Sequence, residues 1–168
     1  MATQRKAVIV RKFSREWCAG YAAANLGEDP SGLEILEPGG RVMRLDWESV
    51  KWVCFVRDLP GTAAGTEPER LLHKRFAIRP RTAGLWIKLV LKDGEELEGL
   101  AANDRTLIEG AGLLLTPPDT RSNTQRIFVP RQSIEKLEVA GLIGLTARRP
   151  LPRPSGQTEL FEPPSETP

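Results

Sequence analysis

Cysteine and histidine are nearly missing from this chain, which has Cys18, Cys54 and the single histidine His73 in 168 residues. A zinc centre wants about four Cys or His ligands, and three scattered ones do not make a set, so no metal or other cofactor is expected. A catalytic nucleophile needs a base within hydrogen-bond reach, and that base needs an orienting group. His73 stands in a basic segment with no Cys or Ser that a strand reading would place beside it. It reads as a solvated surface residue, and the chain as a non-enzyme. Two thiols without a secretory signal suit a reducing compartment with both cysteines structural; a disulfide between them is the alternative.

Long apolar runs are missing as well. Ala7 to Val10 is too short for a signal peptide, and no stretch approaches the roughly 18 apolar residues of a membrane span. A cytoplasmic location is therefore expected, with no membrane partner. Net charge is scarce too: 24 Lys and Arg against 22 Asp and Glu leave +2. That overall field is too weak to argue for nucleic acid, so any basic patch must be local.

What the chain does contain is an internal repeat, the feature that most constrains a fold. Residues 6–23 lie over 85–102 without a gap, pairing Val8 with Ile87, Val10 with Leu89, Glu16 with Glu95 and Gly20 with Gly99. Both stretches read as strand, tight turn, strand; Lys92-Asp93-Gly94 is a hairpin signal. Gly20 and Gly99 fall inside strands, where glycine marks a bulge or sharp bend. After a length change the match resumes, with Gly32-Leu33 over Gly112-Leu113, Met43-Arg44-Leu45 over Ile127-Phe128-Val129, and Ser49-Val50 over Ser133-Ile134. Val53 and Phe55 then match Leu137 and Val139 at the two-residue period of a strand with one buried face. Asp46 to Ser49 and Pro130 to Ser133 read as single helical turns between strands.

Each copy thus offers about five short strands, and so small an antiparallel sheet buries its face and protects its edges by curling closed. The expected fold is all-β, with two tandem small five-stranded barrels. The first spans 6–58 and the second 85–144. Residues 59–84 form a basic linker rich in Pro and Gly, with a short helix expected over Pro68 to Arg75. Residues 145–168, with Pro150, Pro152, Pro154, Pro163, Pro164 and Pro168, read as a disordered tail.

The run Trp86-Ile-Lys-Leu-Val-Leu-Lys-Asp-Gly-Glu-Glu-Leu-Glu-Gly99 resembles the first motif of the Sm-like family, whose five-stranded barrel belongs to the broader SH3-like type. Val129-Pro-Arg-Gln-Ser-Ile134 occupies the place of that family's second motif. The resemblance implies the fold. It does not extend to the uridine pocket, because Asn103-Asp104 is followed by Arg105-Thr106-Leu107 and Arg131 by Gln132 rather than Gly. More narrowly, Leu115-Thr-Pro-Pro-Asp119, Arg121-Ser-Asn123, Gln125-Arg126 and Phe128-Val-Pro-Arg131 resemble an uncharacterised bacterial domain family without an assigned activity.

Arginines gather in two places. Arg121, Arg126 and Arg131, with Asn123 and Gln125 between them, form a candidate site for a polar or anionic ligand. The plainer alternative is that Arg126 and Arg131 cap strand ends and pair with Glu135 and Asp119. The linker carries Arg70, Lys74, Arg75, Arg79 and Arg81. Asp93, Glu95, Glu96 and Glu98 read as a solvated hairpin edge. Trp52 and Trp86 read as core or interface residues rather than as stacking platforms for bases. Arg11-Lys-Phe-Ser-Arg15 has the spacing of half a cyclic di-GMP motif, and its second half does not follow. In the tail, Gln157-Thr-Glu-Leu160-Phe161 resembles the bacterial sliding-clamp-binding peptide, in which Gln157, Leu160 and Phe161 would be the anchors.

The function expected from these features is a non-enzymatic interaction or ligand-binding module with a protein partner. The alternatives are an Sm-like RNA or single-stranded DNA binder, and an adaptor tethered to the sliding clamp by the tail. The oligomeric state is left open.

Overall fold

The computed structural model describes residues 4–60, 73–119 and 121–144. Ten strands run β1 (Arg5–Lys12), β2 (Trp17–Ala23), β3 (Leu33–Leu36), β4 (Val42–Leu45), β5 (Val50–Val56), β6 (Gly84–Leu91), β7 (Glu96–Ala101), β8 (Gly112–Thr116), β9 (Thr124–Pro130) and β10 (Ile134–Ile143). No α-helix occurs among the described residues. The all-β expectation holds, with all ten strands joined antiparallel in one open sheet.

Trp47–Ser49 and Arg131–Ser133 form single 3-10 turns, where the sequence calls for them. Asp46 caps the first, its carboxylate accepting from the Glu48 N–H. The buried Ser133 hydroxyl in the second donates to the Val50 carbonyl, tying the second half of the chain to the first at 2.7 Å. A third such turn, Arg105–Leu107, lies in the β7–β8 loop, with Asp104 as its cap.

The sheet order is β10-β6-β7-β8-β9-β5-β1-β2-β3-β4. Within the first five strands the order is fifth, first, second, third, fourth, and the last five follow the same order. The rungs agree residue by residue. Val8 pairs with Gly20 and Phe55; Ile87 pairs with Gly99 and Val139. Leu33 pairs with Leu45, and Leu113 with Val129. Tyr21 meets Leu36 as Leu100 meets Thr116. Residues matched by the sequence repeat therefore occupy equivalent rungs.

Gly20 and Gly99 show why glycine stands at the matched position. A Cβ on Gly20 would lie 2.5 Å from the Leu36 carbonyl oxygen, and one on Gly99 would lie 2.8 Å from the Leu115 Cβ. Each is the point where the following strand crosses over its predecessor and turns away, which leaves β2–β3 and β7–β8 with only one and two rungs.

The alternation of Val53 and Phe55 suggests that β5 buries a single face, yet every residue of Val50–Val56 is buried. Val50, Val53 and Phe55 face a core with Val8, Val10, Ile35 and Leu45, while Trp52, Cys54 and Val56 face a second core with Ile87, Leu89, Leu97 and Ile127. The strand pairs with β1 on one side and β9 on the other. An unbroken apolar run is what burial on both faces demands. Both cysteines are free, Cys54 buried and Cys18 half-buried, and burial pushes the Cys18 thiol up from its ordinary value.

Part of the linker is packed. The Glu98 N–H donates to the Lys74 carbonyl at 2.7 Å, and the Phe76 ring meets Trp86 edge-on at 5.9 Å. His73 to Arg75 are not helical; residues 68–72 of the expected helix, and with them Arg70, lie outside the described residues. So does the tail with Gln157, Leu160 and Phe161. No helix among the described residues is long and apolar enough to cross a membrane.

Candidate functional site

Where β5 and β9 join the two halves of the sheet, a cleft of about 550 Å³ opens. Phe55 of β5 and Arg126 and Phe128 of β9 line it, together with Leu114 of β8, the β2–β3 loop from Ala24 to Glu28, and the β7–β8 loop carrying Asp104 and Glu109. Phe55 and Arg126 are cross-strand partners. The Phe128 ring is held by Trp47 at 5.9 Å, and it lies so close over Gly112 that a Cβ there would sit 2.6 Å from the ring. Trp47 is fixed in turn by its indole N–H, which donates to the Asp29 carbonyl at 2.8 Å. The loops also meet: Gly27, at φ +87, comes so near Ala111 that a side chain would collide with the Ala111 Cβ.

Charge around the cleft is uneven. Arg126 is the single cation of the lining, exposed and without a side-chain hydrogen bond or ion pair among the described residues. The carboxylates are already engaged. Asp104 accepts from the Thr106 N–H and hydroxyl, which hold its carboxyl below the ordinary value. Glu109 pairs with Arg105 at 2.9 Å, and Glu28 accepts from the Asn25 amide. Leu114 and Ile108 beside them expose 45% and 82% of their surface, so apolar area is available to a partner.

The five residues expected to form one ligand site are divided by the structure. Asn123 clamps Asp58: its amide donates to the Asp58 carbonyl at 2.7 Å and its carbonyl accepts from the Asp58 N–H at 3.0 Å. Arg131 does not pair with Glu135 or Asp119. Its guanidinium donates to the carbonyls of Gly110, Thr106 and Leu107, at 3.1 to 3.3 Å, and so shapes the β7–β8 loop. Asp119 instead closes its own turn through the Arg121 N–H and lies 3.6 Å from His73. Arg121 and Gln125 are exposed, and of the five only Arg126 lines the cleft. Replacing Asn123 with Ala removes two hydrogen bonds across the chain and should cost about 1–2 kcal/mol, read by urea unfolding together with faster exchange of the Asp58 amide.

The carboxylate hairpin is a solvated edge only in part: Asp93 and Glu96 are exposed, Glu95 and Glu98 are half-buried, and all four are engaged. Lys51, 5% exposed, pairs with Asp93 at 2.5 Å and with Glu95, and Glu95 also receives Lys74. Arg75 pairs with Glu96, and Glu98 accepts from the Trp86 indole N–H at 3.1 Å. Lys74 and Arg75 are therefore engaged in ion pairs, that of Arg75 on the exposed surface, and only Arg79 and Arg81 of the described linker cations remain without a side-chain partner among the described residues. Trp52 is fully buried, with the Lys51 ammonium 4.9 Å from its ring. Arg11 and Arg15 line a cavity of about 330 Å³ beside the same ion cluster.

The cleft thus combines contributions from both halves, an apolar floor and one uncommitted guanidinium, a combination suited to noncovalent recognition. The loop residues that build it carry no short motif, and Arg126 is the one lining residue that the sequence marks as a ligand-binding candidate. No curated protein and no solved structure matches this chain. Residues 4–141 match the family of unknown function DUF6982, and the chain belongs to that family.

Proposed function

We propose that this protein is a non-enzymatic binding module built from two tandem small barrels of the Sm-like or SH3-like type, and that the cleft between them takes a segment of a partner protein. The barrel reading is supported by the matching strand order and rungs of the two halves. The binding reading is carried by one observation: the cleft floor of Phe55, Phe128 and Leu114 is apolar and shared by both halves, with Arg126 as its only uncommitted charge among the described residues. An apolar side chain set on that floor buries area, and a neighbouring carboxylate pairs with the guanidinium. A nucleic-acid backbone fits less well, because Glu28, Asp104 and Glu109 outnumber Arg126 around the opening and repel phosphates.

Panning displayed random peptides against the full chain tests this. Enrichment of an apolar residue flanked by Asp or Glu is expected. Arg126→Glu should exchange the acidic flank for Lys or Arg, and Leu114→Asp should abolish enrichment. No enrichment, or a flank indifferent to Arg126→Glu, would sink the reading. Salt-sensitive binding of labelled single-stranded RNA or DNA in its place would point to the nucleic-acid alternative.

A further inference from the structure

The sheet ends at β4 on one side and β10 on the other, and among the described residues nothing pairs with either outer edge. The two edges are not arbitrary. β4 is the repeat counterpart of β9, and β10 that of β5, because Leu45 and Val129 hold matching rungs, as do Phe55 and Val139. β9 and β5 are the two strands that pair with each other across the middle of the sheet. The chain therefore contains one completed junction of this type and displays both halves of a second, unjoined one.

We propose that β4 of one molecule pairs antiparallel with β10 of another, a head-to-tail association that repeats the internal β5–β9 junction. The internal register sets Val53 against Phe128, Cys54 against Ile127 and Phe55 against Arg126. Transferred through the repeat, it sets Leu137 against Arg44, Glu138 against Met43 and Val139 against Val42. Val42 and Val139 are 55% and 49% exposed. Two apolar residues that each stand open on an edge thereby become direct cross-strand neighbours, a pairing that stabilises sheets. The same register sets Glu138 one diagonal step from Arg41, within reach of a long side chain. The bulge that turns β10 between Val139 and Gly141 lies beyond these three rungs. Edges meant to stay alone are usually guarded by prolines or inward-pointing charges, and neither stands at Val42 or Val139.

Such a contact is heterologous, so it propagates into a closed ring or an open filament instead of stopping at a dimer. Sedimentation velocity of the full chain, from low to high micromolar protein, should show species larger than a dimer. Val42→Lys and Val139→Lys each leave one edge intact and should be monomeric alone. Mixed in equal amounts they should form a 1:1 dimer and nothing larger, because one variant keeps a competent β10 and the other a competent β4. The mixture also reports that both variants are folded. A wild-type chain that stays monomeric throughout, or a single variant that still self-associates, would overturn the proposal.

Discussion

Gly20→Val should be the most damaging single substitution in the first five strands, lowering stability by about 3 kcal/mol, the upper part of the range for forcing bulk into a packed site. The nearest atoms to a new Cβ are the Leu36 carbonyl oxygen at 2.5 Å and an Ile35 methyl at 2.6 Å. The oxygen belongs to the backbone of β3 and cannot rotate aside, so the crossing of β2 and β3 must open. Gly99 holds the matched position, but there the nearest neighbour is the Leu115 Cβ at 2.8 Å, with the Thr116 oxygen at 3.1 Å. Its substitution to Ala should therefore cost less than Gly20→Ala. Gly39 has nothing within 4 Å of a built Cβ, and Gly39→Ala should change stability by no more than about 0.5 kcal/mol. Urea unfolding of the set decides the matter: equal costs at Gly20 and Gly39 would remove the close-approach argument.

Lys51→Met should show a comparably large effect, with a distinctive pH dependence. Removing one partner from a buried ion cluster costs about 3–5 kcal/mol, because the remaining charges keep their desolvation without compensation. Asp93 and Glu95 expose 35% and 28% of their side chains, and water screens that loss, so about 2–3 kcal/mol is expected at neutral pH. Burial alone would raise both carboxyls, yet at Asp93 the Lys51 ammonium together with backbone N–H donors outweighs it, and at Glu95 Lys51 with Lys74 does, so both stand below their ordinary values. A carboxyl depressed in the folded state stabilises above its unfolded pKa, about 4, and the contribution is lost as pH falls through the lower folded value. The gap between wild type and Lys51→Met should accordingly be widest near neutrality and close in acid. A gap independent of pH would assign the loss to packing instead of charge.

Much of the strand plan was legible because it rests on local signals. The Lys92-Asp93-Gly94 turn, the matched Gly20 and Gly99 and the helical turns before Val50 and Ile134 each depend on conformational preferences of a few neighbouring residues. The repeat did more, since its matched residues stand on matched rungs: the same local instructions given twice produce the same pairing twice. The ligand site was less legible. Asn123 and Arg131 have the chemistry of ligand-binding residues, and nothing local reveals that Asp58 and the Thr106 to Gly110 carbonyls will come to meet them. A guanidinium offered to a ligand and one offered to a loop are identical in sequence.

The sequence by itself determined the strand composition, the position of the bends and the kinship of the two halves, because alternation, turn residues and intolerance of a Cβ act within one or two strands. Only the tertiary structure decided how the halves meet. Antiparallel pairing of β5 with β9 brings residues more than seventy positions apart onto one rung, as with Val53 and Phe128. That pairing buries β5 on both faces, draws the hairpin carboxylates to Lys51 and opens the cleft at Arg126. The backbone hydrogen bonds of an edge strand accept any compatible edge, so which edges join depends on how the two halves pack, and no stretch of neighbouring residues records it.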